Sequence, residues 1–163
     1  MSELTHFDAE GASRMVDVAA KPVTQRVATA SGRVRMKPET LALVRDSKSA
    51  KGDVLEVARL AGIMAAKQTS ALIPLCPQVP LDAVELKFDF PDAQQVVIVA
   101  TAVATARTGV EMEALVAVSM AALTVYDMCK AVDRAMTIEH IQLEEKSGGR
   151  SGHFQRASSG ASS

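Results

Sequence analysis

"AVELKFDFPDAQQVVIVATAVAT", residues 83–105, joins two apolar stretches of different pattern through a short polar break. In the first, Val84, Leu86, Phe88 and Phe90 alternate with Glu85, Lys87 and Asp89. That two-residue period is the pattern of a strand with one face buried. "PDAQQ" has the length of a hairpin connection, and "VVIVATAVAT" (96–105) beyond it is apolar on both faces. A strand of that kind needs cover on both sides, from helices or from another subunit. The middle of the chain is therefore a hairpin, and the fold depends on what flanks it.

On its N-terminal side, "KGDVLEVARLAGIMAAKQTSALI" (51–73) has a helical pattern, with Ala58, Ala61, Gly62 and Ala65 small enough to let another element approach closely. Pro38 in "KPETLALV" suits a first helical turn. Before it, "TQRVATASGRVRM" (24–36) ends in alternation, Val34 and Met36 against Arg33 and Arg35, and predicts a strand. On the C-terminal side come a long helix over 109–134 and a closing strand, "IEHIQLEE" (138–145). The order is β-α-β-β-α-β, which predicts an α+β fold of the ferredoxin-like split βαβ kind, an antiparallel sheet with two long helices and an N-terminal extension. The Ser/Gly/Ala-rich end "ASSGASS" predicts a disordered tail over 155–163, leaving a single domain over 1–154.

Of 163 residues, 48% are apolar but only 3% aromatic, with no Trp, so the core must be built from Ala, Val, Leu, Ile and Met. Lys and Arg number 18 against 19 Asp and Glu, a net charge of −1, which argues against a general nucleic-acid or anionic-membrane binder while leaving room for a local basic pocket. Cys76 and Cys129 lie far apart in apolar settings. With no CxxC and no secretory signal, they read as reduced thiols of a cytoplasmic protein. The start, "MSELTHFDAEG", is polar and acidic rather than a targeting peptide, and no uninterrupted apolar run reaches the roughly 18 residues of a membrane helix. His6, His140 and His153 show no metal-ligand spacing, so no zinc site is expected.

The helix over 109–134 carries few charges, and each has a bland reading beside a functional one. Thr108 and Glu111 have capping-box spacing. Glu113 lies in the first turn, where the helix dipole favours an acid. Asp127 and Lys130, three apart, are placed to pair. Glu113 and Asp127 fall on nearly one face but about 21 Å apart along the axis, while Glu111 points away from Asp127. These acids serve separate local needs, or they belong to a site assembled from several segments and several chains. Because the helix is apolar nearly all round, it predicts burial, most simply at an oligomer interface. Lys51 and Lys67 stand near the two ends of the preceding helix, and Lys146 precedes "SGGRSG". Helix starts and glycine-rich loops offer N–H groups to anions, although each lysine alone also reads as a solvated surface residue. The loop lacks the GxxxxGK[ST] order of a Walker motif.

"RMVDV", "KPVT", "KGDVLEVARLAGIMAAK", "LIPLC", "TGVEMEAL", "AALTVYDMCKAVDRAM" and "EKSGGRSG" occur in an order that strongly resembles the molybdenum cofactor biosynthesis protein C (MoaC) family over about residues 4 to 154. The resemblance implies a ferredoxin-like fold, a homohexamer built as a trimer of dimers, and active sites at the dimer interfaces. It implies conversion of 3′,8-cyclo-7,8-dihydroguanosine 5′-triphosphate to cyclic pyranopterin monophosphate with loss of diphosphate. The family's acid/base aspartate falls on Asp127, its lysines on Lys51, Lys67, Lys130 and Lys146, and its acids on Glu111 and Glu113. Asp127, Lys51 and Lys130 would form the catalytic set. The family's substrate-binding segments fall on Leu75, Cys76 and Pro77 and on Met112 and Glu113. No cofactor is called for by the sequence, and magnesium with the triphosphate is left open. One departure stands out: "LCPQVPL" (75–81) replaces the family's "LCHPLPL", so Pro77 occupies the place of an active-site histidine. Proline offers no titratable group and no N–H, and Gln78 hydrogen-bonds without titrating. Read this way, the chain is an enzyme of this kind, or a catalytically impaired or silent paralogue acting as a nucleotide-binding or interaction subunit.

Overall fold

The computed structural model of the chain describes His6 and residues 8–46, 53–150 and 152–157. The elements, in order, are β1 (Thr24–Arg35), α1 (Pro38–Arg45), α2 (Val54–Lys67), α3 (Thr69–Leu72), β2 (Leu81–Asp89), β3 (Gln95–Ala106), α4 (Glu111–Cys129), β4 (Thr137–Ser147) and β5 (Phe154–Gln155). The five strands form one antiparallel sheet in the order β2-β3-β1-β4-β5. Its first four strands, with α2 and α4, are the split βαβ arrangement expected from the sequence. The short α1, α3 and β5 are additions to it. β5 begins at Phe154, so the expected end of the domain at 154 falls inside this strand, and residues 158–163 lie outside the described residues.

β1 and β3 pair without a break from Thr24↔Ala106 to Arg35↔Gln95, which fixes the parity of the sheet centre. Ala28, Ala30 and Val34 of β1 and Val96, Ile98, Ala100, Ala102 and Ala104 of β3 all face the helices and are buried. The opposite face of β3 is only half-buried, so the cover that its apolar residues call for is supplied on one side within the chain. The hairpin connection is tightened by Asp92, whose Oδ1 accepts a hydrogen bond from the Gln94 N–H at 2.7 Å.

The helices are shaped by their ends. Asp53 caps α2, its carboxylate accepting from the N–H groups of Leu55 and Glu56. The predicted helix over 51–73 does not run through: α2 closes at Lys67, Gln68 leaves helical geometry, and α3 is a separate turn. The predicted helix over 109–134 closes at Cys129. The chain beyond it is anchored by buried Asp133, which accepts from the Lys37 N–H at 2.9 Å, the Ala135 N–H at 3.1 Å and the Thr40 hydroxyl at 3.4 Å. Asp133 thereby ties the segment after α4 to the start of α1, whose Lys37 N-cap makes no side-chain cap hydrogen bond. The Lys37 N–H is the main reason its carboxyl is held below the usual range.

α2 follows β1 and α4 follows β3, so in this topology the two helices run antiparallel over the sheet. They meet through the small residues noted in the sequence: Ala58, Gly62 and Ala65 on α2 against Ala114, Ala117 and Ala121 on α4. By length and mean composition α4 is apolar enough to cross a membrane. Here it is the central helix of the core, with Ala117, Val118, Ala121 and Val125 fully buried. Cover by this one chain is incomplete, since Leu123 remains 51% exposed, as do Val57, Leu60 and Met64 on α2 at 43%, 59% and 59%.

The α2–α4 approach gives a direct test. A Cβ at Gly62 would stand 2.9 Å from the Ala117 carbonyl oxygen and 2.6 Å from Leu86 Cδ2. Helix propensity favours alanine by about 1 kcal/mol, whereas overpacking of a close contact costs about 1–3 kcal/mol. Gly62→Ala is expected to lower stability in a urea titration. A gain would mean that the helices separate freely.

Candidate active site

The turn between β3 and α4 is where charged residues gather. Arg26 begins the assembly. By the parity of β1 it belongs with Ala28 and Ala30 on the helix-facing side, and its side chain is buried. Its guanidinium donates to three main-chain carbonyls, those of Ala106, Arg107 and Gly148, each at 3.2 Å. Three segments are thereby tied together: the start of β1, the β3–α4 turn and the glycine-rich turn after β4. The fit requires the two glycines of that turn. A Cβ at Gly149 would overlap the Arg26 guanidinium, and one at Gly148 would overlap the Gln25 carbonyl; both residues have positive φ.

Around this knot lies a cavity of about 620 Å³ lined by Lys21, Arg26, Arg107, Lys146 and Arg150, with Glu111 as the one carboxylate and Thr108 and Gly109 completing the wall. Five cationic side chains against one acid, at the N-terminal end of a 19-residue helix, make a strongly electropositive cavity in a chain of net charge −1. Among the described residues no carboxylate stands within ion-pair distance of Arg26, and its hydrogen-bond partners are main-chain carbonyls. Such a cavity suits a phosphate-bearing anion. Two smaller hollows adjoin it. One is bounded by Pro77, Gln78 and Arg107, the other by Leu75, Pro77, Lys21 and Thr108. Thr108 lines all three, while Lys21, Arg107 and Pro77 each line two of them, so the hollows lie side by side.

Most of the sequence-derived site residues are here. Lys146 donates to Glu111 Oε1 at 2.8 Å, with both side chains partly buried. This corrects the capping-box reading of Thr108 and Glu111: the N-cap is Val110, no side chain caps the helix, and the Glu111 carboxylate folds back over Gly109 toward Lys146. Glu113, two residues on, is buried among apolar neighbours. Burial, with a smaller contribution from the Glu111 charge, pushes its carboxyl above the ordinary value of 4.5. Burial and then the charges of Glu113 and Glu111 likewise push up the Cys76 thiol, so the 75–77 segment and the first turn of α4 lie against one another. Met112 is half-buried beside them, and exposed Lys67 closes α2 at this same end of the antiparallel helix pair.

Asp127 and Lys130 stand elsewhere. They pair at 2.5 Å at the exposed C-terminal end of α4, about 21 Å along the helix from Glu113. Lys51 lies outside the described residues. One chain therefore does not bring its candidate aspartate to its own anion cavity. Lys21, Arg26, Arg107 and Arg150 were missed by the sequence reading, although Arg26 carried a signal: a charge on the inward parity of an otherwise apolar strand.

Glu113 carries a stability prediction. Its folded-state value lies above the unfolded one, so between the two the folded protein holds more protons. Stability is therefore lost as pH rises from the ordinary carboxylate range through the raised value. Glu113→Gln is expected to be more stable than the parent to chemical denaturation at pH 7.5, with the difference shrinking below pH 4.5. A less stable variant at neutral pH would mean that the carboxylate is held by contacts rather than penalised by burial.

Residues 15–149 match the model of the MoaC family. The chain is 62% identical to a cyclic pyranopterin monophosphate synthase of Magnetococcus marinus over 157 residues, covering 96% of each protein. It is 61% identical to cyclic pyranopterin monophosphate synthase 1 of Mycobacterium bovis, covering 96% of this chain and 92% of that one. It is also 61% identical to the synthase of Thermomicrobium roseum, covering 96% and 95%.

Proposed function

The chain belongs to the MoaC family, and from that premise we propose that it is a cyclic pyranopterin monophosphate synthase of molybdenum cofactor biosynthesis. The reaction takes 3′,8-cyclo-7,8-dihydroguanosine 5′-triphosphate to cyclic pyranopterin monophosphate and diphosphate. The observation that carries the reading is the cavity of five cations and one carboxylate, Glu111, with buried Glu113 two residues further along α4. Loss of diphosphate, as a ribose-derived hydroxyl attacks the α-phosphorus, builds negative charge on phosphate oxygens. Fixed ammonium and guanidinium groups stabilise that charge without having to reorganise. Lys21, Arg107, Lys146 and Arg150 hold the triphosphate, and Arg26 keeps the turns that carry them in place. Leu75, Cys76, Pro77 and Met112 bound the rest of the substrate, with Lys67 adding charge at the rim. Glu111 and Glu113 lie where proton transfers accompany the rebuilding of the purine into a pterin.

Asp127, Lys130 and Lys51 complete the catalytic set from a second copy of the chain. The distance along α4 supports this, because the aspartate reaches an anion cavity only if another subunit presents it. We take the assembly to be a homohexamer, a trimer of dimers, with exposed Val57, Leu60, Met64 and Leu123 as apolar surface available for contact. The thiols of Cys76 and Cys129, not joined in a disulfide, support a reducing, cytoplasmic setting.

Pro77 favours the second reading, a silent nucleotide-binding subunit, and one assay separates the two. The purified protein is incubated with the cyclic dihydroguanosine triphosphate while diphosphate and pterin are followed. Turnover is expected, and Asp127→Asn, which keeps size and most hydrogen bonding, should abolish it without unfolding the protein. Pro77→His with Gln78→Pro should raise turnover, by less than the roughly 10²- to 10⁴-fold that an acid–base group contributes where none is present. Nucleotide binding without turnover in every form would establish the silent subunit.

A further inference from the structure

We infer that His6, carried in by the N-terminal segment, supplies the imidazole of this site and moves protons to and from the bound substrate; the inference rests on the reading above. The segment is built to bring the residue there. Asp8 Oδ1 accepts from the N–H groups of Glu10 at 3.1 Å and Ala12 at 2.7 Å, and the Asp8 N–H donates to the Ala12 carbonyl at 3.0 Å. Gly11, at φ +83°, closes this turn. The Arg14 N–H then donates to the His6 carbonyl at 2.8 Å, so the chain doubles back and lays His6 beside Met15 and Val16. There it lines the hollow of about 250 Å³ whose other walls include Leu75, Pro77, Lys21 and Thr108.

Among the described residues, two titratable side chains line that hollow, Lys21 and His6. An ammonium ordinarily gives up its proton far above neutral pH, whereas an imidazole ordinarily exchanges one near it. The His6 ring makes no hydrogen bond to another described residue, which leaves both nitrogens open to a ligand. The other two histidines do not serve: His140 lies on β4 and lines none of these hollows, and His153 is engaged with Glu145 at 2.7 Å, whereas His6, also exposed, lines one. The charged groups around His6 are Lys21 within the hollow, Arg107, Glu111, Lys146 and Arg150 through the shared wall, and Glu113 behind Cys76. The step is proton transfer alone. The ring hands a proton to a substrate nitrogen or oxygen, or takes one from it, and exchanges it with water. With Pro77 contributing no titratable group, the proton carrier of the hollow comes from the other end of the chain.

The chain has three histidines, so their ring signals are few enough to assign by substitution. In the full-length protein with labelled imidazoles, saturating guanosine triphosphate, a probe sharing the purine and triphosphate of the substrate, should shift the His6 signals and leave those of His140 unmoved. In the turnover assay His6→Gln should lower kcat by about 10²- to 10⁴-fold with little change in KM, and remove one limb of the pH profile. Adding Pro77→His to His6→Gln should restore much of the loss. His6 signals that ignore saturating nucleotide overturn the inference, as does a His6→Gln protein that turns over like its parent. If the parent itself is inert, the synthase reading fails while the ring signals still decide the place of His6.

Discussion

An unbroken helix of 19 residues fixes how far apart the two charged ends of α4 must be. Its rise of about 1.5 Å per residue leaves Glu111 and Glu113 at one end and Asp127 with Lys130 at the other. The alanine-lined packing of its middle against α2 and the sheet allows no bend that brings them together. The same rigidity holds the first turn of α4 against the 75–77 segment on one side and the glycine-rich turn after β4 on the other. A site using both ends of the helix is therefore a site of two chains, and the apolar surface left open on α2 and at Leu123 fits a chain that is not complete alone.

At the near end, buried Arg26 organises the local electrostatics. Its guanidinium spends its donors on three main-chain carbonyls, and among the described residues no carboxylate lies within ion-pair distance of it. That arrangement costs stability in an empty protein and favours any anion that enters. Glu113, also buried and driven toward its protonated form, belongs to the same pattern of groups held in unfavourable surroundings, the usual mark of a functional region. Lys146 and Glu111 are the exception, each stabilising the other while lining the cavity.

The fold was readable because its signals are periodic and local: alternation in 83–90, the two-faced run 96–105 and the small residues of 51–73. The strands came out within about two residues of their observed limits, while both long helices stop well short of their expected ends. The errors lay where tertiary contact overrides a local pattern. Thr108 and Glu111 have capping spacing, but Lys146, 35 residues away, takes the glutamate. The helical pattern of 51–73 gives no sign of the break at Gln68. For the candidate site, matching motifs pointed to residues on α4, the 75–77 segment and Lys146, and the fold gathers those of the first turn of α4, the 75–77 segment and Lys146 at one end. Lys21, Arg107 and Arg150 were invisible because isolated cations in loops look like solvated surface until the fold draws them around one cavity. Arg26 alone was betrayed by strand parity.

The most direct test of the shared site is subunit complementation. Asp127→Asn and Lys146→Ala damage opposite ends of α4, so each homo-oligomer should be close to inert. After mixing in equal amounts under conditions where subunits exchange, with mixed oligomers confirmed by native mass spectrometry, some interfaces pair an intact near end with an intact far end. For random two-fold pairing, roughly a quarter of the sites should then regain the parental arrangement, and turnover should recover to about that fraction. Mixed oligomers as inactive as their parents would contradict the account and place the whole reaction within one chain.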